Sequence, residues 1–309
     1  MPKESRVNVV RRNTIRENGA NERAPKLVGR KPKLGQHFLT DRDAAETIVE
    51  ALGKIDNQVV IEIGPGRGAL TELLLSRAGH LITIELDHVL AAQMRLKYSR
   101  FQNLEVVEGD FLRIEIPTLL HHKPGLLNDR IPGQPVQMTA RVVGNIPYYI
   151  TSDILLKLFD CHRHFDRFVL MMQKEVADRI LAKPGSSDYG LLSATAQLYT
   201  KVEKILTLPP GAFNPPPKVH SMVLRFETAP RFTELQVPER EFIDFLKLAF
   251  AQKRKTLANN LKLHYSDAQL KSSMKQSGIK ADVRAEAMSL PQMAALFRSL
   301  SALPQAEAI

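Results

Sequence analysis

The chain has 309 residues, 44% of them hydrophobic and 25% charged, a composition typical of a folded protein with a sizeable core. No apolar run reaches the roughly 18 residues that a membrane span requires, and the basic N-terminus lacks the apolar stretch of a secretory signal. The single cysteine, Cys161, excludes an internal disulfide. These features predict a cytoplasmic protein without membrane association.

Positive charge is concentrated at the N-terminus. The net charge is +10, and residues 1–35 carry ten Lys or Arg side chains against three Glu. Because this region has few apolar residues and no sustained periodicity, we predict that residues 1–30 are a disordered basic arm. Such an arm suits a polyanion such as RNA or DNA, and a solubilising tail is the alternative.

Strands and helices are predicted to alternate up to about residue 183. The pattern predicts, in chain order, helix 41–52, strand 59–63, helix 69–77, strand 81–86, a helix ending near Tyr98, strand 104–109, strand 141–144, helix 152–160, strand 167–172 and helix 174–183. The strands are apolar along their length, which is typical of a parallel sheet covered by helices on both faces. Residues 117–140 contain four prolines and no clear period, so we predict an irregular insertion there.

The pattern changes after Gly185. Further strands, which can extend the sheet in antiparallel fashion, are predicted at 190–199, 202–208 and 219–226. From about Pro238 the spacing of apolar residues is helical to near Leu300, which predicts a small second domain made of helices.

A glycine-rich loop, 62-EIGPGRGA-69, follows the first long strand and begins a helix. Glycines allow the backbone to approach a ligand closely and offer amide donors at a helix N-terminus. Gly64, Gly66 and Ala69 fit the dinucleotide pattern G-x-G-x-x-G/A. Glu62, Gly64, Gly66 and Gly68 fit the E-x-G-x-G-x-G loop of S-adenosylmethionine (SAM) methyltransferases, and a tight turn without a ligand is a third possibility.

Acidic residues stand at the ends of the next two strands. Glu85 can accept both ribose hydroxyls of an adenosine, which NAD and SAM both contain, or it can be a solvated charge. Asp110 can accept the exocyclic amine of the cofactor's adenine. Since Gly64 ends the first strand, one ligand can lie across the carboxyl edge of the sheet and contact all three positions.

The fourth strand ends in Asn145, Ile146, Pro147 and Tyr148. The Asn145 side-chain oxygen and the Ile146 carbonyl can accept hydrogen bonds from the two N–H groups of a nucleobase amine. These bonds make the nitrogen more tetrahedral, so its lone pair can face a methyl sulfonium. Pro147 has no N–H and fixes φ, so it holds that carbonyl in place. Tyr148 offers a ring for the base to stack on, a contact typically worth about 1–3 kcal/mol.

Such a transfer needs no strong general base, because the attacking nitrogen becomes cationic and can lose its proton afterwards. The structural alternative is a strand-to-helix turn in which Thr151 or Ser152 caps the helix and both tyrosines pack in the core. We predict that Tyr148 meets the base, and the role of Tyr149 is left open.

Six segments resemble, in the same order, those of the ribosomal RNA adenine dimethyltransferases. They are 34-LGQHFL-39, 62-EIGPGRG-68, 83-TIELD-87, 109-GDF-111, 144-GNIPYYI-150 and 213-FNPPPKVHSMV-223. The resemblance covers about residues 31–300. The segment 250-FAQKRKTLANNLK-262 is similar to the small-subunit members of the family rather than to the erythromycin-resistance methylases, which modify large-subunit RNA.

The resemblance implies a SAM-dependent enzyme that methylates N6 of two adjacent adenosines in the 3′-terminal hairpin of 16S rRNA, within the immature 30S subunit, to give N6,N6-dimethyladenosine. It implies a Rossmann-like α/β methyltransferase domain with a seven-stranded, mainly parallel sheet over residues 31–235. Residues 236–309 would form a small all-helical RNA-contacting domain. A monomer without a metal ion is expected.

The resemblance also implies roles for individual residues. The cofactor positions are His37, Leu39, Gly64, Gly66, Glu85, Asp110 and Asn145. The family often has Asn where this chain has His37, and both side chains can form hydrogen bonds. Phe213 would be a second ring in the target-base pocket, reached by a flipped adenosine, unless it is simply a packed aromatic.

Three charged residues, Lys253, Arg254 and Lys255, are candidates for RNA contact, with a solvated helix face as the alternative. Cys161 and its neighbours His162 and His164 lack the spaced partner set of a metal site. Three other functions stay open at this stage. They are an assembly factor whose binding matters more than catalysis, a large-subunit resistance methylase and an NAD-dependent oxidoreductase.

Overall fold

The structure is a computed structural model that describes residues 36–121 and 139–302. The predictions for the basic arm 1–30 and for most of the insertion 117–140 lie outside the described residues. The described residues belong to one compact unit.

A central sheet organises the described residues. Its strands are β2 (Val59–Ile63), β3 (His80–Glu85), β4 (Leu104–Glu108), β5 (Ala140–Asn145), β6 (Phe165–Gln173), β7 (Thr200–Leu208) and β9 (Ser221–Thr228). Within the described residues these seven strands lie in the order β4-β3-β2-β5-β6-β9-β7. Strands β2 to β6 run parallel, β9 is antiparallel to β6, and β7 is antiparallel to β9. The predicted mainly parallel, seven-stranded sheet is confirmed.

Two short strands join distant parts of the chain. They are β1 (Phe38–Leu39) and β8 (Phe213–Asn214), which pair antiparallel so that Phe38 lies opposite Asn214 and Leu39 opposite Phe213. This pairing brings the segment around His37 next to the proline-rich segment that follows β8.

Helices cover both faces of the sheet. They are α1 (Arg42–Glu50), α2 (Thr71–Leu74), α3 (His88–Lys97), α4 (Ile116–His121), α5 (Thr151–Asp160), α6 (Lys174–Leu181) and α7 (Leu191–Tyr199). Side chains of α1, α2 and α3 pack with Val60 and Val143 on one face, whereas those of α4 to α7 pack with Ile61 and Val142 on the other. Because successive strand residues point to opposite faces, this burial on both sides explains why the strands are mostly apolar.

The prediction of a strand at 190–199 is wrong, because Leu191–Tyr199 form helix α7. A short apolar run cannot be assigned to helix or strand from its periodicity alone. The choice is made by tertiary contacts. Ser193 accepts a hydrogen bond from the Gly190 amide at 3.0 Å and donates to the Arg179 carbonyl at 2.5 Å, which holds α7 to the end of α6. The helix predicted at 69–77 is also shorter than expected, since only Thr71–Leu74 are α-helical.

Helices alone follow β9 in the described residues. They are α8 (Phe232–Leu235), α9 (Glu239–Ala249), α10 (Leu257–Leu261), α11 (Asp267–Gln276) and α12 (Leu290–Ser301). Their core also contains Tyr189 and Leu198, so these helices share buried contacts with α7. A domain boundary at 235/236 stays a prediction. None of the described helices is long and apolar enough to cross a bilayer.

Candidate active site

Four of the predicted site residues meet at the carboxyl edge of the sheet. The register pairs Ile63 with both Ile84 and Gly144, so the ends of β2, β3 and β5 are level. Gly64 directly follows β2, and Glu85 and Asn145 are the last residues of β3 and β5. Asp110 comes two residues after β4, whose Glu108 pairs with Glu85. In parallel sheets this edge is the usual place for a ligand.

The glycine loop adopts a backbone conformation that other residues rarely tolerate. Gly64 and Gly66 have φ values of +65° and +57°, in the left-handed region. A Cβ atom added to Gly66 would lie 2.9 Å from two carbons of the Phe38 ring. At Gly64 the added atom would find its nearest neighbour 3.9 Å away, at the Asn145 carbonyl oxygen. The loop is therefore closed by Phe38 on one side and leaves room beside Gly64.

The carboxylate of Glu85 fixes the loop to the end of β3. One carboxylate oxygen accepts the Gly66 amide and the other accepts the Asp87 amide, both at 3.0 Å. The side chain is only 4% exposed, and this burial raises the pKa of Glu85, although the two amides act in the opposite direction. Each oxygen keeps a second lone pair, so Glu85 can still accept a pair of hydroxyl groups.

The neighbouring strand ends offer apolar and polar contacts. Leu86 is 51% exposed although it directly follows the buried Glu85. Leu86 was not predicted as a site residue. Its position between two acids in 85-ELD-87 could have indicated an exposed apolar side chain at the strand end. Asp110 accepts the Leu112 amide at 3.0 Å and so begins a turn of 3-10 helix at Phe111–Arg113. Its second oxygen lies 3.7 Å from Arg113 Nε.

At the end of β5, the side chain of Asn145 has a defined orientation. Its Nδ2 donates to the His37 carbonyl at 2.8 Å. Since a carbonyl oxygen can only accept, the group of Asn145 that faces His37 has to be Nδ2. Oδ1 is then available to accept a hydrogen bond from another group. Ile146 continues the sheet by donating its amide to the Met171 carbonyl at 3.1 Å. Pro147 has φ −57°, within the narrow range that its ring imposes.

The two tyrosines after Pro147 occupy different environments. The hydroxyl of Tyr148 lies 2.8 Å from Ser221 Oγ, and its ring stacks on His37 with a centroid distance of 5.9 Å. Burial raises the pKa of Tyr148. Tyr149 is 61% exposed. The alternative of a capped turn with core tyrosines is therefore wrong. Helix α5 starts without a side-chain cap, and the Thr151 hydroxyl lies 3.3 Å from the Pro147 and Tyr148 carbonyls.

This chain is similar over most of its length to one protein family. The sequence model of the family described as ribosomal RNA adenine dimethylase matches residues 29–302. The chain belongs to this family. Membership selects the methyltransferase interpretation of the glycine loop over the dinucleotide one, and the predicted enzyme class, an rRNA adenine dimethyltransferase, is confirmed.

Individual relatives give the same result. The chain is 56% identical over 271 residues to the ribosomal RNA small subunit methyltransferase A of Koribacter versatilis, covering 88% of this chain and 94% of the relative. A dimethyladenosine transferase from Plasmodium falciparum superposes with a TM-score of 0.65 at 27% identity, over 84% and 96% of the two chains. The 23S rRNA methyltransferase ErmE superposes with a TM-score of 0.62 at 25% identity, over 85% and 99%. The predicted Rossmann-like methyltransferase fold is confirmed.

Three other predicted site residues belong to or adjoin the β1–β8 pair. Leu39 and Phe213 face each other across the β1–β8 pair and are 7% and 3% exposed. Both belong to the core cluster that also contains Leu208 and Val223. A base could reach the Phe213 ring only if its surroundings moved, so a role in the base pocket stays a prediction. His37 is half-buried, and its Nδ1 lies 2.8 Å from the Pro215 carbonyl and therefore carries the hydrogen.

The candidate RNA-contacting residues lie between α9 and α10. Lys253, Arg254 and Lys255 are exposed, and Lys253 donates to the Ser187 carbonyl at 2.5 Å. This bond draws Lys253 towards the loop between α6 and α7. Among the described residues, no group of three or more potential metal ligands is found.

The family and the fold imply SAM, and the residues at the edge suit its chemistry. The left-handed glycines favour a close approach of the loop backbone to a ligand, and Glu85 has two carboxylate oxygens that can accept ribose hydroxyls. The exposed Leu86 offers an apolar surface to a flat ring. Asn145 presents an acceptor to a group approaching from the substrate side.

Proposed function

We propose that this enzyme transfers methyl groups from SAM to N6 of two adjacent adenosines in the 3′-terminal hairpin of 16S rRNA. The reaction class follows from the family. The small-subunit target is supported by the name of the relative from Koribacter versatilis. The observation that carries the mechanism is the orientation of Asn145, whose Nδ2 is held by the His37 carbonyl so that Oδ1 is available at the sheet edge.

The cofactor would be held by residues of three strand ends. Glu85 would accept the ribose hydroxyls, Asp110 the adenine amine, and the amides of the loop at Gly64 and Gly66 would lie against the methionine part. His37 and Leu39 would line the same site from the β1 segment. When bound, SAM supplies an electrophilic methyl group on a sulfonium sulfur.

The target adenosine would leave its stack and place its base against Tyr148. Asn145 Oδ1 and the Ile146 carbonyl would then accept the two N–H bonds of N6. Delocalisation into the ring makes this nitrogen a poor nucleophile, and two acceptors outside the ring plane shift it towards a tetrahedral geometry. Pro147 keeps the carbonyl in place because its φ is fixed. The gain comes from positioning and from dipoles directed at developing positive charge.

Each transfer forms one N–C bond, breaks one S–C bond and releases one proton from N6. In the first transfer each of the two acceptors receives a hydrogen bond from one N–H group of N6. The monomethylated amine has a single N–H left, so only one acceptor can be used in the second transfer. The enzyme therefore has to bring the remaining lone pair towards the sulfonium mainly through stacking of the base.

The substrate would be 16S rRNA within the immature 30S subunit, bound by a monomer. Arg254 and Lys255, exposed beside Lys253, would contact phosphates, which position RNA without reading its sequence. Phe213 would contribute to the base pocket after a local rearrangement.

The experiment that tests this proposal is to incubate the protein with methyl-labelled SAM and immature 30S or 50S particles, and then to map the label. We expect dimethyladenosine at two adjacent positions of the 16S 3′-terminal hairpin. Label found only in 23S rRNA would contradict the small-subunit target. Label at another atom of adenosine would contradict the proposed use of Asn145 and Ile146.

A further inference from the structure

Ser221 holds the end of the Tyr148 side chain. Its Oγ lies 2.8 Å from the Tyr148 hydroxyl, although the two residues are far apart in sequence. Ser221 is the first residue of β9 and is fully buried. A buried hydroxyl needs a hydrogen-bond partner, and each of these two groups satisfies the other.

The position of Ser221 in the fold makes it a rigid support. It pairs with Gln173 of β6 on one side and with Leu208 of β7 on the other. The preceding residue, His220, accepts the Lys174 amide at 2.9 Å. Since its strand is paired on both sides, the Ser221 backbone is held by the sheet rather than by the loops that surround the site.

Further contacts restrain the Tyr148 ring. One face lies against His37, at an interplanar angle of 25°. The His37 ring is held by the Pro215 carbonyl, and its backbone carbonyl is held by Asn145. The Tyr148 backbone is restrained by Thr151, whose hydroxyl lies 3.3 Å from the Tyr148 carbonyl. These contacts restrain one face of the Tyr148 ring, its hydroxyl end and the Tyr148 backbone.

We propose that Ser221 is a positioning residue that fixes the position of the Tyr148 ring for the stacked adenine. This inference rests on the proposed function, in which Tyr148 carries the target base. The phenolic oxygen lies on the axis about which χ2 rotates, so the hydrogen bond to Ser221 fixes the direction of the ring axis, while the stacked His37 restrains rotation of the ring about that axis. A stacked base adopts the plane of the ring below it. The position of the Tyr148 ring therefore sets where this base lies and how closely N6 approaches the Asn145 oxygen and the methyl group, and small errors in that approach slow the transfer strongly.

A double-mutant cycle between Ser221→Ala and Tyr148→Phe tests this coupling. Each single change removes the same hydrogen bond, and we expect each to lower kcat about 10-fold, as for the loss of one hydrogen bond. The double variant should be no slower than either single variant, because no bond remains to be lost. SAM affinity measured by calorimetry should not change, since neither hydroxyl contacts the cofactor in the proposed arrangement.

Two further variants give the cycle its controls. Ser273→Ala removes a fully buried serine hydroxyl in α11, among the C-terminal helices, and should leave kcat unchanged. Tyr148→Ala removes the whole ring and should be slower than Tyr148→Phe. If Ser221→Ala does not fold, Tyr148→Phe alone tests the positioning role. This variant should fold, because it removes one oxygen atom from a half-buried residue.

The outcomes separate this inference from the proposed function. Wild-type kcat for Ser221→Ala or Tyr148→Phe, with slow turnover for Tyr148→Ala, would overturn the positioning role and leave base stacking intact. A double variant slowed about 100-fold would also overturn it, since the two residues would then act independently. Wild-type turnover for Tyr148→Ala would instead refute base stacking on Tyr148 itself.

Discussion

Glu62 is a carboxyl group buried in the middle of the sheet. It lies in β2, is 2% exposed, and accepts a hydrogen bond from the Thr71 hydroxyl at 2.6 Å. Burial raises the pKa of Glu62 from 4.5 to about 8, with Thr71 opposing the shift and Glu85 adding to it. At neutral pH the folded protein therefore holds this carboxyl mainly in its neutral form.

This shift makes stability depend on pH in a defined direction. The folded state keeps a proton that the unfolded state loses between pH 4.5 and about 8. Stability from this group is therefore fully present at low pH and is lost as the pH rises through that window. The difference between the two pKa values corresponds to about 5 kcal/mol, an upper limit since water can enter around an ionised group.

Replacement of Glu62 by Gln should remove this pH dependence, because the amide is similar in shape to the neutral carboxyl and cannot ionise. We would measure urea unfolding by circular dichroism at pH 5, 7 and 9 for both proteins without cofactor. The free energy of unfolding of the wild type should fall, relative to Glu62→Gln, by several kcal/mol across this range. Glu50→Gln, at the exposed end of α1, controls for the loss of one carboxyl. A constant difference between wild type and Glu62→Gln would refute the reasoning.

Three other predictions concern the site and the basic arm. Asn145→Ala should lower methyl transfer at least about 100-fold, as typical for loss of a transition-state acceptor, while calorimetry still detects SAM binding; wild-type turnover would exclude the proposed mechanism. Gly66→Ala should lower the free energy of unfolding by about 1–2 kcal/mol and weaken SAM binding, because its methyl group would lie 2.9 Å from the Phe38 ring; an unchanged melting temperature and SAM affinity would contradict this. Deletion of residues 1–30 should weaken RNA binding and flatten its dependence on salt, and an unchanged slope in a filter-binding titration would leave the arm without a role in RNA binding.

The predicted order of strands and helices was largely correct because burial leaves a strong signal in the sequence. Strands covered on both faces are mostly apolar, and β2 is buried throughout, with Glu62 as its one acidic residue. The strand predicted at 190–199 was wrong because α7 is also apolar on several sides, where it packs against α6 and the C-terminal helices. Its neighbours, rather than its own residues, select the helix.

The candidate site was predictable where it is built from strand ends. The glycine loop, Glu85, Asp110 and Asn145 each follow or end a strand, so parallel topology alone brings them to one edge. Ser221 was not predicted, although it lies within the segment 213–223 that was selected for its similarity to the family. The sequence alone does not show which side chain a serine contacts. The partner of Ser221 is Tyr148, which follows β5, whereas Ser221 begins β9.

The sequence by itself therefore determined the family, the class of reaction and the edge of the sheet at which we propose that the chemistry takes place. These follow from local patterns of glycine, acid and aromatic residues that recur at strand ends. Only the tertiary structure decided that β1 lies against β8, that Phe213 is buried while Tyr149 is exposed, and that Ser221 reaches Tyr148. The reason is physical: burial, hydrogen-bond partners and the pKa of Glu62 depend on residues that are distant in the chain and meet only when it folds.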